Sequence, residues 1–176
     1  MSGADAAWVQ RLAEHVARQP APDAFADVTD PHGRPILLPP RPPATHAAWH
    51  SAEEALGYPL PDLLGRMYSE VGDGQFGPGY GLLALTAHTT STAGMVPSAL
   101  AWRSEFGFDR AWLPLCYWGC TVYSFLEVSS GRVGMIDVGI EDDLQVVQWQ
   151  AASLGDFLQA WMDGHELFFL DEPAAP

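Results

Sequence analysis

The sequence predicts a single α+β domain, an antiparallel β-sheet meander flanked by N-terminal helices and by one C-terminal helix. Three observations lead to this prediction. Four helical patterns occur within residues 4–106, β-branched and aromatic residues are frequent in residues 112–149, and a capped helical pattern follows Ser153. Helices followed by consecutive strands are typical of the α+β class. A chain of 176 residues is long enough to bury an ordinary core.

The first third of the chain predicts three helices. The first covers residues 4–18 and ends before Pro20. Residues 20–43 are rich in loop-forming residues and end in a proline-rich stretch that favours a stiff, extended spacer. Helical periodicity then covers residues 46–56 and 62–71.

The remaining elements follow a glycine-rich loop. A strand is predicted over residues 82–86 and a helix over residues 96–106, begun by Pro97. The meander that follows is predicted as four strands, at residues 113–117, 121–128, 132–137 and 144–149, with a hairpin turn over 129–132. Ser153, with Asp156 three residues later, predicts the start of a final helix that Gly164 ends.

The glycine-rich loop contains the spacing G-x-G-x-x-G, which also occurs in dinucleotide-binding proteins. Such a site needs a strand before the loop and a helix after it, so that the phosphate meets the helix N-terminus. Here a helix precedes the loop and a strand-like run follows it, which argues against that function. We therefore interpret the glycines as structural residues that end a helix and allow tight turns. They are Gly72, Gly74, Gly77, Gly79 and Gly81.

The residues around this loop resemble the SUKH superfamily, which includes fungal cell-wall-assembly regulators and many bacterial immunity proteins. The first group that carries the resemblance is Trp49, Ala52, Glu53, Leu56, Gly57, Leu60, Pro61, Leu63, Tyr68, Gly72–Gly74 and Phe76–Leu82. The second is Leu113, Pro114, Trp118–Cys120, Tyr123, Gly131, Val133, Phe157, Leu158 and Trp161. Gln75 departs from the family, which often has glycine there. The resemblance divides the chain into an N-terminal helix and proline-rich lead (1–44), a SUKH-like domain (45–170) and an acidic, proline-containing tail (171–176).

Charge is distributed unevenly along the chain, whose net charge is −14. Residues 133–176 contain nine acidic residues and no lysine or arginine. Such a field repels nucleic acid and anionic membranes and attracts a basic protein. With no secretory signal pattern at the N-terminus and no apolar stretch of spanning length, we expect a cytoplasmic protein without membrane segments.

The resemblance implies a non-enzymatic immunity protein that neutralises a cognate toxin, often a nuclease, by direct binding. Nuclease toxins are typically basic because they hold phosphates, so the acidic charge agrees with this function. The alternative is an intracellular regulatory scaffold related to the cell-wall-assembly regulators. Candidate partner-binding residues are the acidic groups in the glycine loop and in the strand connection: Asp73, Asp137, Glu141, Asp142 and Asp143.

Motifs for catalysis or cofactor binding are not expected. The chain has no lysine, which excludes Schiff-base chemistry and a phosphate-binding lysine. Cys116 and Cys120 lack a second cysteine pair for zinc and are interpreted as buried free thiols. His46 and His50 share a helix face, which we interpret as solvated rather than metal-binding. A catalytic carboxylate pair would have to be formed by Glu127 and Asp137, and strand-end carboxylates usually face solvent instead. The sequence therefore predicts no enzyme, no metal site and no cofactor.

Overall fold

The helices and the antiparallel sheet follow one another in the predicted order, except that the strand expected at residues 82–86 is not formed. The computed structural model describes residues 3–25, 28–86, 94–109, 111–140 and 146–168. Within these ranges it forms five α-helices and one four-stranded antiparallel sheet, which confirms the α+β class. The helices are α1 (Gly3–Arg18), α2 (His46–Leu56), α3 (Asp62–Glu70), α4 (Met95–Glu105) and α5 (Leu154–Met162).

Local sequence signals set the helix ends. The Thr45 hydroxyl accepts a hydrogen bond from the Ala48 N–H at the start of α2, and Gly57 ends that helix in the left-handed conformation, with φ of 80°. The predicted cap of α5 is confirmed, because the Ser153 hydroxyl accepts from the Asp156 N–H at 3.0 Å. Gly164 follows α5 with φ of 75°.

The sheet is a meander whose strands lie side by side in sequence order. Its strands are β1 (Trp112–Gly119), β2 (Val122–Glu127), β3 (Val133–Asp137) and β4 (Gln148–Ala151). The hairpin turn predicted over residues 129–132 is present between β2 and β3, where the Gly131 N–H donates to the Glu127 carbonyl. The β1–β2 connection is tighter, because Gly119 pairs with Val122 and only two residues lie between them.

Two strand predictions were wrong in detail. Residues 82–86 form no strand, only a bridge between Leu82 and Cys116. The last backbone hydrogen bond to β1 is the one from the Leu83 N–H to the Leu115 carbonyl. The next residue bonds elsewhere, because the Ala84 carbonyl accepts a hydrogen bond from the Met95 N–H at the start of α4. The fourth strand was expected at 144–149 and lies at Gln148–Ala151. Its bounds follow from its pairing with β3, in which Val133 is opposite Ala151 and Met135 is opposite Gln148. Residues 144 and 145 lie outside the described ranges.

The two faces of the sheet have different covers. Leu126 and Val133 face the main core, which also contains Leu64 of α3 and Phe157 of α5. The opposite face, which we call the outer face, carries a second and smaller core. Its buried members are Trp102, Phe125 and Ile136, surrounded by half-buried Phe106, Phe108, Trp112, Tyr123, Val138 and Val147. Trp102, near the end of α4, therefore covers the middle of the outer face.

Helix α1 belongs to the same core as the SUKH-like region. Leu12 is fully buried and Val16 is 2% exposed, and both pack in the main core. The Trp161 indole N–H of α5 donates to the Asp23 carboxylate just after α1, at 3.1 Å. Helix α1 is thus joined to the domain by apolar burial, and Asp23 by a hydrogen bond.

None of the helices that the structure describes combines the length and the apolar character needed to cross a bilayer.

Candidate protein-interaction surface

The glycine loop is a tightly packed structural element. Gly74, Gly77, Gly79 and Gly81 all have positive φ, between 61° and 100°. A side chain at Gly74 would place its Cβ 2.6 Å from the Leu82 carbonyl oxygen. Glycine is needed at this position for both reasons, since other residues resist positive φ and no space exists for a Cβ.

Asp73 lies inside the loop, not at its surface. Its side chain is 8% exposed, and one carboxylate oxygen accepts a hydrogen bond from the Leu85 N–H at 2.8 Å. Beside it, the buried Tyr68 hydroxyl donates to the Leu83 carbonyl. Burial raises the pKa of Tyr68 well above its ordinary value, and the Asp73 charge adds to this effect. Asp73 therefore holds the loop against the following segment, and little of it is exposed to solvent.

The proline-rich lead packs over the loop. The Arg41 N–H donates to the Gly74 carbonyl, and the Asp73 N–H donates to the Arg41 carbonyl, both at 3.3 Å. A Cβ at Gly72 would meet the Arg41 carbonyl oxygen at 2.7 Å, so this glycine permits a close backbone approach. Further along the loop, the Ala24 N–H donates to the Gly79 carbonyl at 2.8 Å. The lead covers one side of the loop and leaves Gln75 and Tyr80 exposed.

Asp137 lies at the end of the sheet where the β1–β2 turn and the end of β3 meet. It is half-buried, and one carboxylate oxygen accepts hydrogen bonds from the Thr121 hydroxyl at 2.5 Å and from the Gly139 N–H at 2.9 Å. The carboxylate thus ties the β1–β2 turn to the segment that follows β3. Glu141, Asp142 and Asp143, which follow in the sequence, lie outside the described ranges.

Glu127 and Asp137 do not form a carboxylate pair. In the β2–β3 register Asp137 is opposite Val122, at the other end of β2 from Glu127. Five residues of extended strand separate the two positions, which corresponds to roughly 17 Å. This separation excludes the catalytic carboxylate pair, which the sequence had already disfavoured.

The two cysteines have different environments. Cys116 is fully buried, and burial raises the pKa of its thiol to about 12. Cys120 is exposed in the β1–β2 turn. The interpretation of two buried thiols is confirmed for Cys116 and was wrong for Cys120, because the turn lies beyond the covered part of β1.

The histidine pair on α2 is exposed, as expected. The Nε2 atoms of His46 and His50 lie 3.1 Å apart, and His50 Nδ1 lies 3.3 Å from a Glu53 carboxylate oxygen. Among the described residues no group of three or more potential ligands is placed to hold a metal ion.

An open cleft of about 700 Å³ lies between α1, the starts of α3 and α5, and the β2–β3 turn. Trp8, Leu63 and Leu154 are among its mainly apolar lining residues, and its charged lining residues are Arg11 and Asp156. Ser153 also lines it, but its hydroxyl is engaged in capping α5. The lining contains neither histidine nor cysteine, so the cleft lacks the groups used most often for nucleophilic or metal chemistry.

A row of tyrosines on the outer face was not identified from the sequence. The ring centroids of Tyr80 and Tyr117 are 5.5 Å apart, and those of Tyr117 and Tyr123 are 4.9 Å apart. A β-bulge in β1 places Tyr117 opposite Tyr123. The sequence predicted both strands, but regular alternation of side chains along them does not predict the contact between Tyr117 and Tyr123.

The meander, its helices and the glycine loop that closes its first edge together define the type of domain that the SUKH resemblance implies. A model of the SMI1 / KNR4 family (SUKH-1) matches residues 43–160. The chain belongs to this family. The match begins within the proline-rich segment, and α1 precedes it. The comparison with curated proteins finds no match.

Proposed function

We propose that the chain is a non-enzymatic immunity protein that binds a basic, nuclease-type toxin directly and thereby neutralises it. Family membership supports this proposal, because SUKH proteins fit immunity or regulatory functions. The observation that carries it is charge. Residues 133–176 contain nine acidic residues without one lysine or arginine. In α5 and just after it, Asp156, Asp163 and Glu166 are all exposed.

The physical basis is competition for a cationic surface. A nuclease holds phosphates with lysine and arginine, so its active face has a positive potential. An acidic domain is attracted to that face over a distance, and contact excludes the nucleic acid. Inhibition of this kind needs no catalytic group in the immunity protein.

The experiment is affinity capture of the chain from its native organism, followed by assay of whatever co-purifies. We expect one basic protein bound in a one-to-one complex, whose nuclease activity is lost on stoichiometric addition of the chain. Capture of acidic proteins only, or a basic partner whose activity is unaffected, would contradict the proposal. A partner that belongs to cell-wall assembly would instead favour the regulatory alternative.

A further inference from the structure

The tyrosine row forms an aromatic surface at one end of the sheet. Tyr80 is 43% exposed, and Tyr117 and Tyr123 are half-buried. The row continues inward to Trp102, whose ring centroid is 5.4 Å from that of Tyr123. The inner end of the row is thus fixed by the small core, while its outer end faces solvent. Rigid, partly exposed aromatic rings are typical of protein-interaction surfaces.

The turn beside the row has an unusual backbone. Cys120 and Thr121 occupy the left-handed region, with φ of 47° and 72°, and both are exposed. Two-residue hairpins favour asparagine and glycine at such positions, and a β-branched residue there is strained. The Thr121 hydroxyl nevertheless ties this turn to β3, because it donates a hydrogen bond to the Asp137 carboxylate. Strained residues of this kind concentrate at functional sites.

The charge at this end of the sheet is negative. The segments that build it are residues 77–82, 117–123 and 136–140, and none contains an arginine or lysine. Asp137 lies among them, and Ile140, at the end of the third segment, is 42% exposed. An aromatic surface beside a carboxylate complements a partner whose cationic groups have flat, weakly hydrated faces. Guanidinium groups have this character, and ammonium groups do not.

The same face of the sheet already binds one guanidinium. Arg132 lies over the Trp149 ring, with 3.6 Å between its Cζ and the ring centroid. Gly134 is paired with Phe125 on one side and with Trp149 on the other. Because paired residues point to the same face of a sheet, the Trp149 ring lies on the outer face with Phe125. An arginine of the chain thus already stacks on an aromatic ring of this face.

We propose that Tyr80, Tyr117 and Tyr123 form the docking surface for an arginine-rich segment of a basic protein. This inference rests on the proposed function and specifies its contact surface. A second copy of the chain is a poor occupant, because each copy has a net charge of −14. Nucleic acid, whose bases also stack on tyrosine, is repelled for the same reason.

The test uses the full chain and a nona-arginine peptide as the probe. We expect the peptide to shift the ring signals of Tyr80 and Tyr117 in the NMR spectrum of tyrosine-labelled protein. Tyr80→Ala should raise the Kd for the peptide by about two- to fivefold, and Tyr80→Phe should restore binding, because the ring supplies the contact. Nona-lysine, with the same charge, should bind more weakly than nona-arginine.

Phe168→Ala is the matched control. Phe168 is 38% exposed, similar to Tyr80, but its ring packs on Trp118, whose indole N–H donates to Ser124 on the opposite face of the sheet. This variant should change the Kd less than twofold. The hydrogen bond from the Tyr80 N–H to the Tyr117 carbonyl is retained in Tyr80→Ala, and the thermal midpoint of each variant separates a loss of binding from a loss of folding. Tyr117→Ser provides a second variant with the same expected direction.

Several results would overturn the proposal. The first two are that Tyr80→Ala binds nona-arginine as tightly as the parent, or that the parent binds nona-lysine as tightly as nona-arginine. The other two are that nona-arginine shifts only the NMR signals of other residues, or that oligothymidylate shifts the same tyrosine signals. Different results would refute the proposed surface and the proposed function. A basic partner from the native organism that binds Tyr80→Ala as well as the parent would refute the surface alone. Arginine-specific binding at the row without any basic partner in that organism would refute the function alone.

Discussion

At the scale of single residues, Gly74 shows how the loop depends on its glycines. Gly74→Val should lower the free energy of unfolding by on the order of 1–3 kcal/mol from the forced positive φ. The steric conflict with the Leu82 carbonyl should add to this loss. Gly33→Val is the matched control, because Gly33 has nearly the same φ, 76° against 78°, and open space around its Cβ position. Urea denaturation of both variants provides the measurement. Equal losses would show that only the backbone angle matters.

The same measurement separates a structural loop from a recognition loop. Gly74→Val should lose partner binding only in proportion to the fraction unfolded. A variant as stable as the parent that fails to bind would assign recognition to the glycine loop itself.

The two thiols provide a second test at this scale. The thiolate is the reactive form, and Cys116, with a pKa of about 12 and a fully buried side chain, stays protonated at pH 8. Only Cys120 is exposed. We expect an aromatic disulfide reagent to titrate one thiol rapidly in the native protein and the second only after denaturant is added. Rapid reaction of both thiols would show that the cover over β1 opens easily.

At the scale of secondary-structure elements, α1 is the part of the chain whose contribution is tested most simply. Leu12→Ala should lower the free energy of unfolding by about 2–5 kcal/mol, as expected for a fully buried leucine. Leu37→Ala, at a position that is 63% exposed in the proline-rich lead, should change it by less than roughly half a kcal/mol. Chemical denaturation of the full-length variants distinguishes the two. Equal effects would mean that α1 is an appendage of the domain.

Elements were predictable from the sequence where the signal is local. Capping by Ser153, the stop at Gly57 and the turn at Gly131 depend on neighbouring residues only, and the helix bounds agree with the structure within one residue or two. Residues 82–86 were misassigned because their partners are not local. Their backbone groups bond both to β1 and to the start of α4, and no local sequence signal predicts these partners.

The candidate surface was predictable only in part, for the same reason. Acidic composition identified the sign of the charge, but the burial of Asp73 depends on a hydrogen bond to Leu85, twelve residues away. The tyrosine row depends on a β-bulge and on a loop that reaches the edge of β1. Neither feature has a short sequence pattern.

At the scale of the whole molecule, the acidic strand connection should contribute to binding without contributing to folding. Combining Glu141→Gln, Asp142→Asn and Asp143→Asn should weaken partner binding, chiefly by slowing association. We expect the free energy of unfolding to change by less than roughly half a kcal/mol, the usual range for a substitution that removes no buried contact. The thermal midpoint and the partner affinity of this variant test both statements. Unchanged affinity would move the contact surface away from this connection.

The central claim is that charge brings this domain to a basic protein partner, and the dependence of the association rate on ionic strength tests it most directly. The Debye length falls from about 30 Å at 0.01 M salt to about 8 Å at 0.15 M, which screens long-range attraction. With the captured partner, we predict an association rate constant that falls at least tenfold over this range, while the dissociation rate constant changes little. An association rate constant that is the same at both ionic strengths would contradict the account.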